Sequence, residues 1–67
     1  MEIFAERLRE LRTEKNLSMK QLAKKLNVTD AAISNWENDI NEPKICYLKT
    51  IALFFGVSTD FLVGLEN

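Results

Sequence analysis

Ser18 and Thr29 both read as helix N-caps, and so little chain lies between them that only a short helix and a tight turn fit. Gln21 stands three positions after Ser18. In this Ser-x-x-Gln pattern the hydroxyl accepts from a backbone N–H of the first turn and the glutamine reaches back to the cap's own N–H. Asn27 tolerates the left-handed backbone conformation that ends a helix, and Thr29 follows almost at once. A helix from Ser18 to Leu26, a turn of about three residues and a second helix up to Asn38 are therefore prescribed by local chemistry alone.

The rest of the chain keeps the helical period of about 3.6 residues and shows no alternating strand pattern. Phe4, Leu8 and Leu11 recur at i, i+4 and i+7 and predict a first helix over about residues 2 to 15, with a charge-balanced polar face. Met19, Leu22, Ala23 and Leu26 form the buried stripe of the second helix; Ala32, Ile33 and Trp36 form that of the third, over about residues 30 to 38. Residues 38 to 42 read as loop. Pro43 then introduces a fourth helix with the stripe Ile45, Leu48, Ile51, Ala52 and Phe55, ended by Gly56. Ser58 caps a short fifth helix with Phe61, Leu62 and Leu65 inward and Gly64 near its end. The expected fold is all-α, a compact five-helix domain spanning residues 1 to 67.

So short a chain buries only about 60% of the surface it exposes unfolded, which leaves little room for an enclosed substrate pocket. It contains no His and one Cys, Cys46, so a disulfide framework, a zinc cluster and a Ser-His or Cys-His catalytic pair are excluded within one chain. No acid-base pair or phosphate-binding loop stands out, and an enzyme, a metal site and a cofactor are not expected. The formal charge is −1, so nucleic-acid binding would rest on local charge. No stretch approaches the roughly 20 apolar residues of a membrane span, and the charge-dense N-terminus is no signal peptide. A cytoplasmic, reduced setting is expected.

Two short helices joined by a tight turn have the geometry of a helix-turn-helix, in which the second helix can project from the body into the major groove of DNA. Small side chains at Ala31, Ala32 and Ser34 permit close approach, while Thr29, Asp30 and Asn35 supply donors and acceptors. Each also has a plain structural reading. Thr29 is a cap first; Asp30 suits the positive end of any helix, or accepts from a cytosine amino group; Asn35 is solvated, or pairs bidentately with adenine. Trp36 belongs with the core.

Residues 17 to 38, Leu-Ser-Met-Lys-Gln-Leu-Ala-Lys-Lys-Leu-Asn-Val-Thr-Asp-Ala-Ala-Ile-Ser-Asn-Trp-Glu-Asn, resemble the helix-turn-helix of the phage repressor and Cro family, often called the Xre type. Pro43, Leu48, Ile51-Ala52, Phe55-Gly56-Val57-Ser58 and Asp60 extend the resemblance through the fourth and fifth helices. It implies a regulator, expected to be a repressor, that binds a palindromic operator in double-stranded DNA as a homodimer. By matching positions, Thr29, Asp30, Ala31 and Asn35, with Ser34 nearby, face base edges; Lys20, Asn38 and Lys44 fall where phosphates are contacted. Met19 replaces a frequent Gln and Asp39 a frequent Gly. The stretch from Thr29 to Glu42 holds Asp30, Glu37, Asp39 and Glu42 and no basic residue, whereas Lys20, Lys24 and Lys25 make the second helix locally basic. Weak non-specific binding with a modest salt slope is expected.

Leu53 and Phe54 cannot share the buried stripe of the fourth helix, so an apolar patch is expected there. Phe54, Phe61 and Leu65 are the expected dimer contacts, unless Phe54 and Phe61 cover the first helix instead. The rival reading is a protein-interaction module of the same fold, an antitoxin or accessory factor, using Leu53, Phe54 and Phe61 on a protein partner.

Overall fold

The helix boundaries lie where the capping chemistry puts them. The computed structural model describes residues 2–67 as five helices: α1 (Glu2–Glu14), α2 (Met19–Leu26), α3 (Asp30–Glu37), α4 (Ile45–Phe55) and α5 (Thr59–Val63). No strand occurs among the described residues. Ser18 Oγ accepts from the Gln21 N–H at 3.0 Å, and Gln21 Oε1 accepts from the Ser18 N–H at 2.8 Å, so the capping box is complete. Thr29 Oγ1 accepts from the Ala32 N–H at 3.1 Å, and Ser58 Oγ from the Phe61 N–H at 2.9 Å. Each such cap contributes about 1 kcal/mol. Asn27 (φ 60°) and Gly56 (φ 69°) close α2 and α4 in the left-handed conformation.

α3 packs against α1 and α2, α5 against α1 and α4, and α2 also against α4. The core between them is built from Phe4 and Leu8 of α1, Leu22, Ala23 and Leu26 of α2, Ile33 and Trp36 of α3, Ile51 and Ala52 of α4, and Leu62 of α5. Burying each large aliphatic or aromatic side chain here contributes roughly 1.5–3 kcal/mol. The domain therefore spends the inner face of α3 on holding that helix in place. Its outer face is left for solvent.

Two residues expected inside are outside. Ile45 is 77% exposed. At 100° per residue it stands about 70° around α4 from the middle of the stripe formed by Leu48, Ile51, Ala52 and Phe55. It is also the first residue after the extended Lys44, at the helix's open end. Leu65 is likewise 77% exposed, because α5 stops at Val63 and Gly64, at φ 88°, turns the backbone out of the helix before Leu65 is reached. Met19, at the entrance to α2, is only partly buried and packs on the edge of the core.

Candidate nucleic-acid interface

Along α3, Ile33, Trp36 and Glu37 are buried. Ala31, Asn35 and Asn38, at i, i+4 and i+7, share the opposite face. Asp30 and Ala31 are exposed, Ser34 and Asn35 half-buried. An open groove of about 460 Å³, lined by Asn27, Val28, Thr29, Ala32, Trp36 and Tyr47, runs along one flank of α3 and separates it from the first turn of α4. One face of α3 is thus anchored while its outer face and a flank stand clear. A helix held this way can enter a major groove.

The residues expected to read bases all lie on or at the start of this helix, but their side chains are not equally available. Thr29 has its oxygen committed to the cap, leaving the hydroxyl proton and methyl group outward. Ser34 accepts from Asn38 Nδ2 through its backbone oxygen at 2.8 Å and its hydroxyl at 3.3 Å. Asp30 lies in the first turn, where the helix dipole favours a carboxylate. Asn35 makes no side-chain hydrogen bond among the described residues, so its amide keeps both donors and its acceptor for a ligand.

Of the expected phosphate contacts, Lys20 is exposed in the first turn of α2. Lys44 is the N-cap of α4, extended at φ −66° and ψ 159°, with no side-chain hydrogen bond to the helix. Asn38 is more engaged than expected: besides Ser34 it meets Arg9, whose Nη2 donates to Asn38 Oδ1 at 3.4 Å.

That arginine belongs to a cluster that spacing within the chain did not reveal. The Glu37 carboxylate has no exposed side-chain surface and is held by Arg12, whose Nε donates to Oε2 at 2.6 Å and Nη2 to Oε1 at 2.9 Å. Arg12 Nη1 donates to the Leu17 carbonyl at 2.8 Å, tying the α1–α2 turn to the same group. The hydrogen bond to Glu37 raises the Arg12 pKa above its ordinary value, against the opposing effect of burial. Arg9 adds Nε to Glu37 Oε1 at 3.4 Å and Nη2 to the Glu37 carbonyl at 3.2 Å. Glu37 is therefore not part of an acidic surface; α1 supplies the cations that α3 lacks.

Of the three expected dimer residues, two are half-covered within the chain. Arg7 lies over the Phe61 ring, 4.2 Å from its centroid, and donates to the carbonyls of Phe61 and Glu66. Phe54 packs on the core, edge-on to Phe55 with ring centroids 4.9 Å apart. Leu65 stands free, as does Leu53 at 81% exposure.

The sequence profile of the helix-turn-helix family matches residues 8–62. The chain is 46% identical over 64 residues to the HTH-type transcriptional activator BcrR of Enterococcus faecalis, covering 96% of this chain and 31% of that protein. It is 36% identical over 64 residues to the HTH-type transcriptional regulator ImmR of Bacillus subtilis (strain 168), covering 96% of this chain and 50% of that protein. The chain thus spans half or less of the length of these two relatives. Among solved structures it is similar to SinR, a master regulator for biofilm formation, in complex with DNA: the TM-score is 0.82 at 28% identity, covering 90% of this chain and 97% of that one. BcrR, ImmR and SinR are all regulators.

Proposed function

Because the chain belongs to the helix-turn-helix family, we propose that it is a sequence-specific regulator of transcription that acts in the cytoplasm by binding double-stranded DNA through α3. The observation that carries this reading is the outer face of α3, where Ala31 is exposed and the Asn35 amide has no hydrogen bond among the described residues, while Ile33, Trp36 and Glu37 anchor the opposite side. Thr29, Asp30, Ala31, Ser34 and Asn35 face base edges. Lys20 and Lys44 contact phosphates, each beside backbone N–H groups at a helix start. Asn38 contributes to the phosphate side mainly through its exposed edge, since its amide is held by Ser34 and Arg9.

Two copies bind a palindromic operator, with Leu65 and the outer edges of Phe54 and Phe61 between them, and repress where that site overlaps a promoter. Selection from a randomised duplex library at about 50 mM salt tests this: a two-fold symmetric motif with half-sites roughly 10 base pairs apart is expected. Asn35→Ala should then relax preference at one base pair by roughly 1–3 kcal/mol, leaving the rest of the motif intact. Unchanged preference removes Asn35 from the base-reading set. The exposure of Leu53 favours a second reading, a protein-interaction module of the same fold. A folded preparation that enriches no motif moves the weight to it.

A further inference from the structure

We propose that Arg9, a residue of α1, is a phosphate-contacting residue at the C-terminal end of α3; the assignment rests on the DNA-binding reading above. The cluster formed by Arg9, Arg12 and Glu37 holds two positive charges against one negative. The members are not equivalent: the Glu37 side chain is fully buried and that of Arg12 is 13% exposed, whereas that of Arg9 is 52% exposed. Arg12 and Glu37 satisfy each other through two short hydrogen bonds. The uncompensated charge of the cluster is therefore displayed by Arg9.

Its guanidinium is also oriented for a second partner. Nε and Nη2 face the protein, donating to Glu37 Oε1, the Glu37 carbonyl and Asn38 Oδ1 at 3.2–3.4 Å. Nη1 has no partner among the described residues, so one edge of the guanidinium is held and its remaining donors point away. The place matters as much as the charge. A helix C-terminus presents carbonyls and the negative end of the dipole, which would repel a phosphate. Arg9 covers the Glu37 carbonyl and reverses that sign. An α3 of eight residues is about 12 Å long, close to the width of the major groove, so a helix seated in the groove brings its ends near the two backbones. Arg9 is the cation that the fold delivers to that end, beside Asn38, which shares the outer face of α3 with Ala31 and Asn35.

The test compares wild type, Arg9→Gln and Arg9→Lys on a labelled duplex of about 20 base pairs, titrated from about 50 to 200 mM salt. Since Arg12 alone holds Glu37 through two bonds, both variants retain the buried pair and the fold, which a thermal melt checks. R9Q should bind every sequence more weakly, with the slope of log K against log salt less steep by about 0.9, while R9K keeps the wild-type slope. R9Q with an unchanged slope, on a duplex that wild type binds, overturns the assignment and leaves Arg9 as a structural staple. Wild type that leaves the duplex unbound at about 50 mM salt overturns the DNA-binding reading and this assignment with it.

Discussion

A carboxylate with no exposed surface persists in so small a domain only because its charge is answered, and at Glu37 nearly all of the answer comes from Arg12. Removing one partner of a buried ion pair leaves the other desolvated and uncompensated, at about 3–5 kcal/mol. A domain of this size has a total stability of roughly 3–10 kcal/mol, so Arg12→Ala should come close to unfolding it at physiological temperature. Arg9→Ala, from a half-exposed and longer-bonded position, should cost under about 1 kcal/mol. Urea unfolding followed by the fluorescence of the buried Trp36 orders the two; equal costs would mean that Glu37 is shared rather than held by Arg12. The caps at Ser18, Thr29 and Ser58 were legible in the sequence because each involves residues three apart. The pair of Arg12 with Glu37 was not, because the partners lie on different helices and no local period links them. For that reason the sequence alone shows Glu37 only as one of four acidic residues in the stretch from Thr29 to Glu42. Asp39, at φ 56°, holds the left-handed backbone conformation that glycine adopts without strain.

At the scale of the element, α2 and α3 are held by their entrances and by one buried face each, with only eight residues apiece. Helices so short are marginal on their own, so the loss of one cap is felt by the whole motif. Ser18→Ala removes the hydroxyl half of the capping box while keeping the backbone N–H that donates to Gln21 Oε1, and should lower stability by about 1 kcal/mol, read as a drop in thermal midpoint of about 4–8 °C. Ser18→Asp, which keeps an acceptor at the cap, should recover most of it; a midpoint that stays low would show that the missing acceptor is not the cause of the loss. The helices themselves were read within a residue or so of their ends. What periodicity misjudged was rotation at open ends: Ile45 precedes the part of α4 that packs, and Leu65 follows the glycine that ends α5. A stripe drawn through apolar letters cannot tell a core position from an apolar residue just past the last packed turn.

For the whole molecule, a net charge of −1 conceals an uneven distribution, with Lys20, Lys24 and Lys25 exposed on α2 and one acidic group withdrawn into the Arg12 pair. Assembly is bounded by size. A standard interface buries about 800 Å² per partner, close to a fifth of the 4355 Å² that this domain exposes, and the free apolar residues near α5 are few. The proposed dimer contact is therefore small, and two copies gain from it chiefly when DNA holds them side by side and raises their effective concentration. The sequence showed that α4 carries more apolar residues than one stripe can bury. It could not show that Arg7 already covers Phe61 while Leu65 is left bare, since that depends on how α5 docks on α1. Leu65→Glu should then spare the fold, as its side chain is exposed, and remove cooperativity between half-sites. In a mobility-shift titration of a duplex with two half-sites, wild type should pass directly to the doubly bound complex, whereas L65E should accumulate the singly bound one. Leu53→Glu, on the opposite side of α4 from its buried stripe, should behave as wild type. The reverse pattern, with L53E losing cooperativity and L65E keeping it, would move the contact between copies onto the outer face of α4 and leave the protein-partner reading without its surface.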